Sequence, residues 1–352
     1  MKESQDIQLS IIVPIYNVEK YVRPCIESIF QQNLDEDIFE VIIVNDGTED
    51  RSMEMIQDII EQHKNITIIN QENQGLSVAR NNGIAVAKGE YILMLDSDDL
   101  LIKYSIKPLL QKAIETNVDL VIAGFMEKSN DEIKVQRNTP LKKQKKEISI
   151  IEKTGEQVFM EDINPHQPYI WRVFFRKDFI TLHHLVFIPG IYVQDRPFFY
   201  ESILKSKRCL LASCPIYIYR KHRDGVSFCM KEKYAKDYCL SISFMWKLYN
   251  SNELSPEIKR KMLDYIYISV KTLAHRLVYE LQDKNKCIEI IDYLHSICPD
   301  LRFQHGLKQR MISFLLRNLP HTYIKLRFLY ANYLELQLFP YIKKLIKQWS
   351  RN

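Results

Sequence analysis

Three carboxylates, Asp96, Asp98 and Asp99, fall within four positions of the stretch YILMLDSDDLL, directly behind an apolar run. Aspartates at i and i+2 offer hard oxygen ligands. Mg²⁺ or Mn²⁺ typically takes one or two such ligands from a protein and fills its shell with water and substrate phosphate. Asp96 and Asp98 therefore read as a place to hold a diphosphate through a divalent metal. A plainer reading competes: Asp and Ser after a strand also cap helices, and a helix starting near Leu100 would use this stretch as its cap.

The elements that must position these groups can be read from periodicity. Leu9–Ile15, Phe39–Asn45, Ile66–Asn70, Tyr91–Leu95 and Val118–Gly124 are short runs rich in Ile and Val. Amphipathic stretches such as RSMEMIQDIIEQHK and SVARNNGIAVAKG separate them. This alternation predicts an α/β fold, with a mostly parallel sheet, right-handed crossovers and helices on both faces. In such a sheet ligands gather beyond the carboxyl ends of the strands. Three of those ends are polar here: PIYN, NDGTED and DSDD. No GxGxxG or GxxxxGK[ST] loop accompanies them, so a bound phosphate needs another counter-charge.

Composition bounds the rest. The chain has 352 residues, 46% hydrophobic and 26% charged, enough for one large domain and a smaller one. Seven cysteines form no CxxC pair and no zinc-like spacing, which predicts buried thiols in a reducing cytosol. The polar start MKESQDIQLS and the lack of any run of about eighteen apolar residues point away from a signal peptide or a membrane span. The net charge is +5, yet Leu301–Asn352 holds ten Lys and Arg against Glu335 alone, so the first 300 residues are net negative.

Read together, LSIIVPIYNVEKYVRPCIESIFQQ, FEVIIVNDGTEDRS and NQENQGLSVARNNGIAVAKGEYILMLDSDDL resemble the nucleotide-binding half of the inverting family 2 glycosyltransferases. The resemblance covers about 125 residues in ordered motifs and implies a GT-A fold and a UDP-sugar donor. It places Asp96 and Asp98 in a DxD motif, with Asp98 on the metal, Asp96 near ribose and metal, Ser97 on the nucleotide sugar and Asp99 facing the donor sugar. Pro14 and Tyr16 correspond to a VPxYN motif lining the uracil pocket, where an aromatic face can stack on a base. Asp46 corresponds to the aspartate that accepts a uracil N–H, and Arg80 to an arginine flanking the nucleotide. Each also has an ordinary reading, as core, turn or surface ion pair.

Inverting transfer needs a base for the acceptor hydroxyl. The resemblance puts it on Asp195, after FIPGIYVQ and at the head of an amphipathic helix; the family more often shows Glu-Asp where this chain has Gln194 and Asp195. A helix cap is the alternative there. Trp171, in YIWRVFFRKDFI, is expected either to border the acceptor with its indole face or to pack in the core. Arg220, His222 and Arg223, in IYIYRKHRDGVSF, are expected on a loop that closes over the donor, with His222 a metal ligand or an ordinary loop histidine.

The organisation that follows is a GT-A domain over 1–229, divided into a nucleotide-binding half (1–125) and an acceptor and base half (151–229). Residues 128–150 read as a basic hairpin or flap. An all-helical region follows over 230–352. Within YIKKLIKQWSRN, Ile342, Leu345, Ile346 and Trp349 share one face, so residues 341–352 either lie on an anionic membrane or dock on the protein itself. The expected partners are a UDP-sugar and a saccharide acceptor, lipid-linked as for many relatives that build capsule, exopolysaccharide or O-antigen. The expected location is the cytoplasm, at the inner face of the plasma membrane if the tail binds lipid. Oligomers are allowed and nucleic acid is not expected. A sugar nucleotidyltransferase would need a glycine-rich basic loop where this chain has PIYNVEKY. A non-catalytic scaffold of the same fold remains the rival reading.

Overall fold

A computed structural model describes residues 6–133, 149–222, 230–251, 253–303, 310–312, 314, 318–319 and 321–327. Two compact units divide the chain, 1–225 and 226–352. The expected flap lies largely, and the basic amphipathic tail 341–352 entirely, outside the described residues.

In the first unit β1 (Leu9–Ile15), β2 (Phe39–Asp46) and β4 (Tyr91–Met94) are buried almost throughout, as continuous apolar runs covered on both faces must be. With β3 (Ile66–Gln71) they form a parallel group in the order β3-β2-β1-β4. Beyond β4 the sheet turns mixed: β8 (Val173–Arg176) runs antiparallel to both β4 and β6 (Leu120–Ser129). Strand β9 (Cys209–Lys221) then pairs parallel with β6 and antiparallel with β5 (Leu100–Leu101) and β7 (Ile150–Lys153). Among the described residues six strands point one way and three the other, a mostly parallel α/β sheet as the sequence predicts. The helix expected near Leu100 is displaced. Leu100 and Leu101 pair with Ile218 and Tyr217, and α4 (Ile106–Thr116) begins only at Ile106. The DSDD turn is therefore held by sheet and is no helix cap.

The helices of this unit include α1 (Val22–Ile29), α2 (Gln57–Gln62), α3 (Leu76–Val86), α4, α5 (Gly155–Glu161), α6 (Lys177–Leu182) and α7 (Asp195–Lys205). Gly83 lets α3 lie close on the sheet: a Cβ there would come within 2.5 Å of the Ile12 side chain. The second unit contains α8 (Glu232–Asn250), α9 (Pro256–Arg276) and α10 (Lys284–Ile297), whose buried stripes include Cys239, Ile266 and Ile290. Ser255 accepts from the Ile258 N–H and Pro256 follows it, the expected start for a long helix. None of the described cysteines is in a disulfide; five are buried and Cys214 is half-buried. No helix among the described residues is long and apolar enough to cross a membrane.

At the edge opposite the strand carboxyl ends, Asp119 joins three segments. Its carboxylate accepts from Arg176 Nη2 at 2.6 Å and from the Lys207 and Arg208 N–H groups at 2.8 and 3.1 Å. Burial resists ionisation there, but these donors outweigh it and hold the carboxyl below the usual range. A depressed folded-state pKa gives stability that is present above the unfolded value and lost as pH falls through the folded one. Asp119→Ala is expected to cost about 2 kcal/mol at pH 7, the range for charge-assisted bonds, and progressively less below about pH 4. Urea midpoints of both proteins at pH 7 and pH 3 check this; an equal difference at the two pH values contradicts it.

Candidate functional site

The polar groups converge where the carboxyl ends of β1, β2 and β4 meet. Two loops are first locked together. Asn17, in the left-handed region at φ 51°, receives the Glu49 N–H on its Oδ1 at 3.0 Å and donates its own N–H to Thr48 Oγ1 at 2.7 Å. Asp50 accepts from the Glu19 N–H at 2.9 Å, closing the same seam. The clasp holds the backbone beside Tyr16, which remains 43% exposed with its ring available, while Pro14 is buried in β1.

Asp46, at the end of β2, is 3% exposed. Its Oδ1 accepts from Gln71 Nε2 and the Gln74 N–H, both at 2.8 Å, and its Oδ2 from the Gly75 N–H at 2.9 Å. Gly47 turns the chain away at φ +68°, where a Cβ would come within 2.8 Å of the Asn73 nitrogen. Asn82 of α3 donates to Gln71 Oε1 at 2.7 Å, so one chain of bonds runs from α3 to Asp46.

The centre of the site is Arg80, a fully buried guanidinium. Its Nη2 donates to Asp96 Oδ1 at 2.5 Å and its Nη1 to Asp195 Oδ1 at 2.6 Å. Phe187 lies under the guanidinium, 5.3 Å from carbon to ring centroid. Burial would favour the neutral form, but the two carboxylates reverse this and raise its pKa. Asp96 is pushed up to about 6: burial dominates and the charges of Asp195 and Asp98 add to it, with Arg80 opposing. The two aspartates keep 25% and 30% side-chain exposure and so face the cleft.

Helix α3 grips the segment leading to Asp195 at several points. Asn81 donates to the Phe187 carbonyl at 2.8 Å and accepts the Phe187 N–H at 2.9 Å. Ser77 donates to Gln194 Oε1 at 3.2 Å. Residues 77, 80 and 81 share one helix face, so a single element positions the whole approach to Asp195. Asp195 is the first residue of α7, where a carboxylate is favoured by the helix dipole. Ser77, Asn81, Asn82 and Phe187 go unread in the sequence; the only trace is the three-and-four spacing of polar residues in SVARNN.

The remaining carboxylates divide between cleft and core. Asp98 keeps 31% side-chain exposure, and its Oδ2 lies 2.9 Å from His222 Nε2. His222 is nearly buried, rests on the Tyr21 ring at 4.5 Å, and its buried Nδ1 has no hydrogen-bond partner among the described residues. Asp99 turns inward instead of toward a donor sugar. It is 1% exposed and accepts from the Tyr217 hydroxyl at 2.9 Å and the Arg220 N–H at 2.7 Å. Burial, with Asp98 and Asp96 nearby, pushes its pKa well up. Ser97 is buried beside it. The Arg220 side chain donates to the Asp98 carbonyl at 2.6 Å, so the loop bearing His222 and the DSDD turn are one bonded unit. Arg223 lies outside the described residues. Trp171 is core, with no face left for a sugar: it is 2% exposed, stacked on Tyr217 at 4.1 Å and on Tyr169 at 4.7 Å.

Among the described residues no group of three or more His, Cys, Asp or Glu side chains is gathered as a metal cage. Asp98 and His222 are nevertheless a carboxylate and an imidazole that meet at the cleft through Oδ2 and Nε2. That donor pair fits Mn²⁺ or Mg²⁺ if phosphate oxygens and water complete the shell.

Removing Arg80 leaves two carboxylates without their shared cation. Arg80→Met is expected to lower stability by about 3–5 kcal/mol, the cost of breaking a buried ion pair from one side. Adding Asp195→Asn to it should recover part of the loss. Denaturant unfolding of the single and double variants gives the coupling, and strict additivity would show that the residues act independently.

The model of the family described as glycosyl transferase family 2 matches residues 10–182. The chain is 32% identical over 268 residues to EpsJ of Bacillus subtilis, named an uncharacterized glycosyltransferase, covering 73% of this chain and 74% of that one. It is 28% identical over 308 residues to EpsH of the same species, also named a glycosyltransferase, covering 86% of each. A crystal structure of S. aureus TarS 1–349 in complex with UDP-GlcNAc superposes with a TM-score of 0.63 at 20% identity, covering 83% of this chain and 82% of that one, a likeness of fold. With polar strand ends gathered around Arg80 on a GT-A-like sheet and these relatives alongside, the chain belongs to glycosyl transferase family 2.

Proposed function

We propose that this chain is an inverting glycosyltransferase that moves a hexose-type sugar from a UDP-sugar to a saccharide acceptor in the assembly of a cell-surface polysaccharide. The observation that carries the reading is the bridge from Asp96 through Arg80 to Asp195, which sets a donor-side carboxylate and a candidate base on one cation. The UDP-GlcNAc in the TarS complex supports the choice of donor.

In this mechanism Tyr16 offers its exposed face to the uracil, and Asp46, whose Oδ2 carries only the Gly75 N–H, accepts from the base on the remaining lone pair of that oxygen. The diphosphate lies over the DSDD turn. Asp98 and His222 would hold Mn²⁺ or Mg²⁺, which when bound supplies Lewis-acid stabilisation of charge on the diphosphate. Asp195 Oδ1 is fixed by Arg80 and the side chain stays open to the cleft, so its carboxylate can take the proton of the acceptor hydroxyl. The acceptor oxygen forms its bond to the anomeric carbon as the bond from that carbon to the UDP oxygen breaks. The electron pair leaves on UDP, the proton stays on Asp195, and the configuration inverts.

UDP release from a panel of UDP-sugars, with and without Mn²⁺, tests the reading. Chelation with EDTA should abolish turnover. Asp195→Asn should keep UDP affinity within about twofold and lose at least 10²-fold in transfer, as expected for a general base. Asp98→Ala should lose the metal-dependent part of UDP binding. Near-normal transfer by Asp195→Asn would remove it from this role, and no response to any uridine nucleotide would sink the donor assignment.

A further inference from the structure

Arg172 is a cation that the network around Arg80 does not use. It closes a one-turn 3₁₀ segment, Ile170–Arg172, immediately before β8. Because β8 runs antiparallel to β4, this turn lies at the same sheet edge as the DSDD turn. The turn packs against β4, β6 and α7, the helix led by Asp195. The residue is half-buried, and its Nε is buried with no hydrogen-bond partner among the described residues, as are those of Arg80 and Arg176; what sets Arg172 apart is its charge pairing. Its only hydrogen bond among the described residues is a long one, Nη1 to the Ala123 carbonyl at 3.4 Å. Its other support is the Phe125 ring, 5.6 Å from the guanidinium carbon.

The contrast with the other arginines at this sheet is informative. Arg80 bridges two carboxylates, and Arg176 pairs with Asp119. Among the described residues no carboxylate lies within ion-pairing distance of Arg172. A half-buried guanidinium with no carboxylate, held by one weak bond and a ring, gains little for its lost hydration, and a group of this kind is suited to bind an anion. The neighbourhood indicates what is bound. The turn that carries Arg172 packs on α7, the helix led by Asp195, at the sheet edge where the DSDD turn lies, so the cation sits beside the element that presents the candidate base. Arginine presents a planar fork suited to phosphate and carboxylate.

We propose that Arg172 is the receptor for an anionic group, phosphate or carboxylate, carried by the acceptor saccharide. This rests on the glycosyltransferase reading above with Asp195 as base. The acceptor is then a charged glycan, such as a sugar or polyol phosphate or a uronic acid, and the charged group sits close to the hydroxyl that is glycosylated.

Matched probes test this by ligand-observed NMR titration in the presence of UDP and Mn²⁺: glycerol against glycerol 3-phosphate, and methyl glucoside against methyl glucuronide. The wild type should prefer the anionic member of each pair. Arg172→Gln should weaken the anionic probes by about tenfold or more and leave the neutral ones unchanged, and Arg172→Lys should retain part of the preference. UDP affinity should be equal in all three proteins. Arg172→Met should melt no lower than the wild type, since it removes an unpaired charge. Equal binding of charged and neutral probes by the wild type overturns the proposal. A parallel loss of UDP affinity moves the anion to the donor and overturns it too, and a fall of several degrees in the melting temperature of Arg172→Met makes the residue structural. If the wild type binds no UDP at all, the glycosyltransferase reading has failed first.

Discussion

A buried guanidinium between two carboxylates is the constraint around which this site is built. Arg80 cannot lose its proton, and a charge of that kind is tolerated in a sheet protein only if it is paired and hydrogen-bonded. Asp96 and Asp195 supply the pairing from positions far apart in the chain. Their separation across the cleft is therefore set by the width of one planar group, and each retains the exposure that chemistry requires.

Much of the surrounding architecture serves to place that guanidinium. Gly83 brings α3 onto β1, and the face carrying Ser77, Arg80 and Asn81 then reaches the segment from Phe187 to Asp195. The same helix, through Asn82 and Gln71, supports Asp46 at the end of β2. One helix thus holds Asp46, the DSDD turn and the head of α7 in a common frame. Rigid support of this kind is what a transfer reaction needs, because misplacing the reacting atoms by an ångström is costly.

The three acids of the DSDD turn illustrate how position decides role. Asp96 and Asp98 open to the cleft, whereas Asp99 ties the turn to β9 through Tyr217 and the Arg220 backbone. Trp171 belongs to the same inner layer, stacked on Tyr217, so the aromatic core and the acidic turn stiffen one another. Arg172, next to that layer, has no carboxylate partner among the described residues, whereas Arg80 and Arg176 each have one or two.

The strand runs, their order of polar ends and the start of α7 at Asp195 were legible in the chain because each is a local pattern: apolar runs of strand length, acids behind them, a Pro-Gly break before a helix. Family membership was legible for the same reason, since its motifs are short and ordered. Which way a side chain turns was not. Asp98 and Asp99 are neighbours of one type, and only the pairing of Leu100–Leu101 with β9 sends one to the cleft and the other inward. Trp171 likewise reads as a surface face or as core until Tyr169 and Tyr217 close on it. The bond from Arg80 to Asp195 spans 115 positions, and no periodicity reports a contact that exists only once the sheet has brought α3 and α7 together.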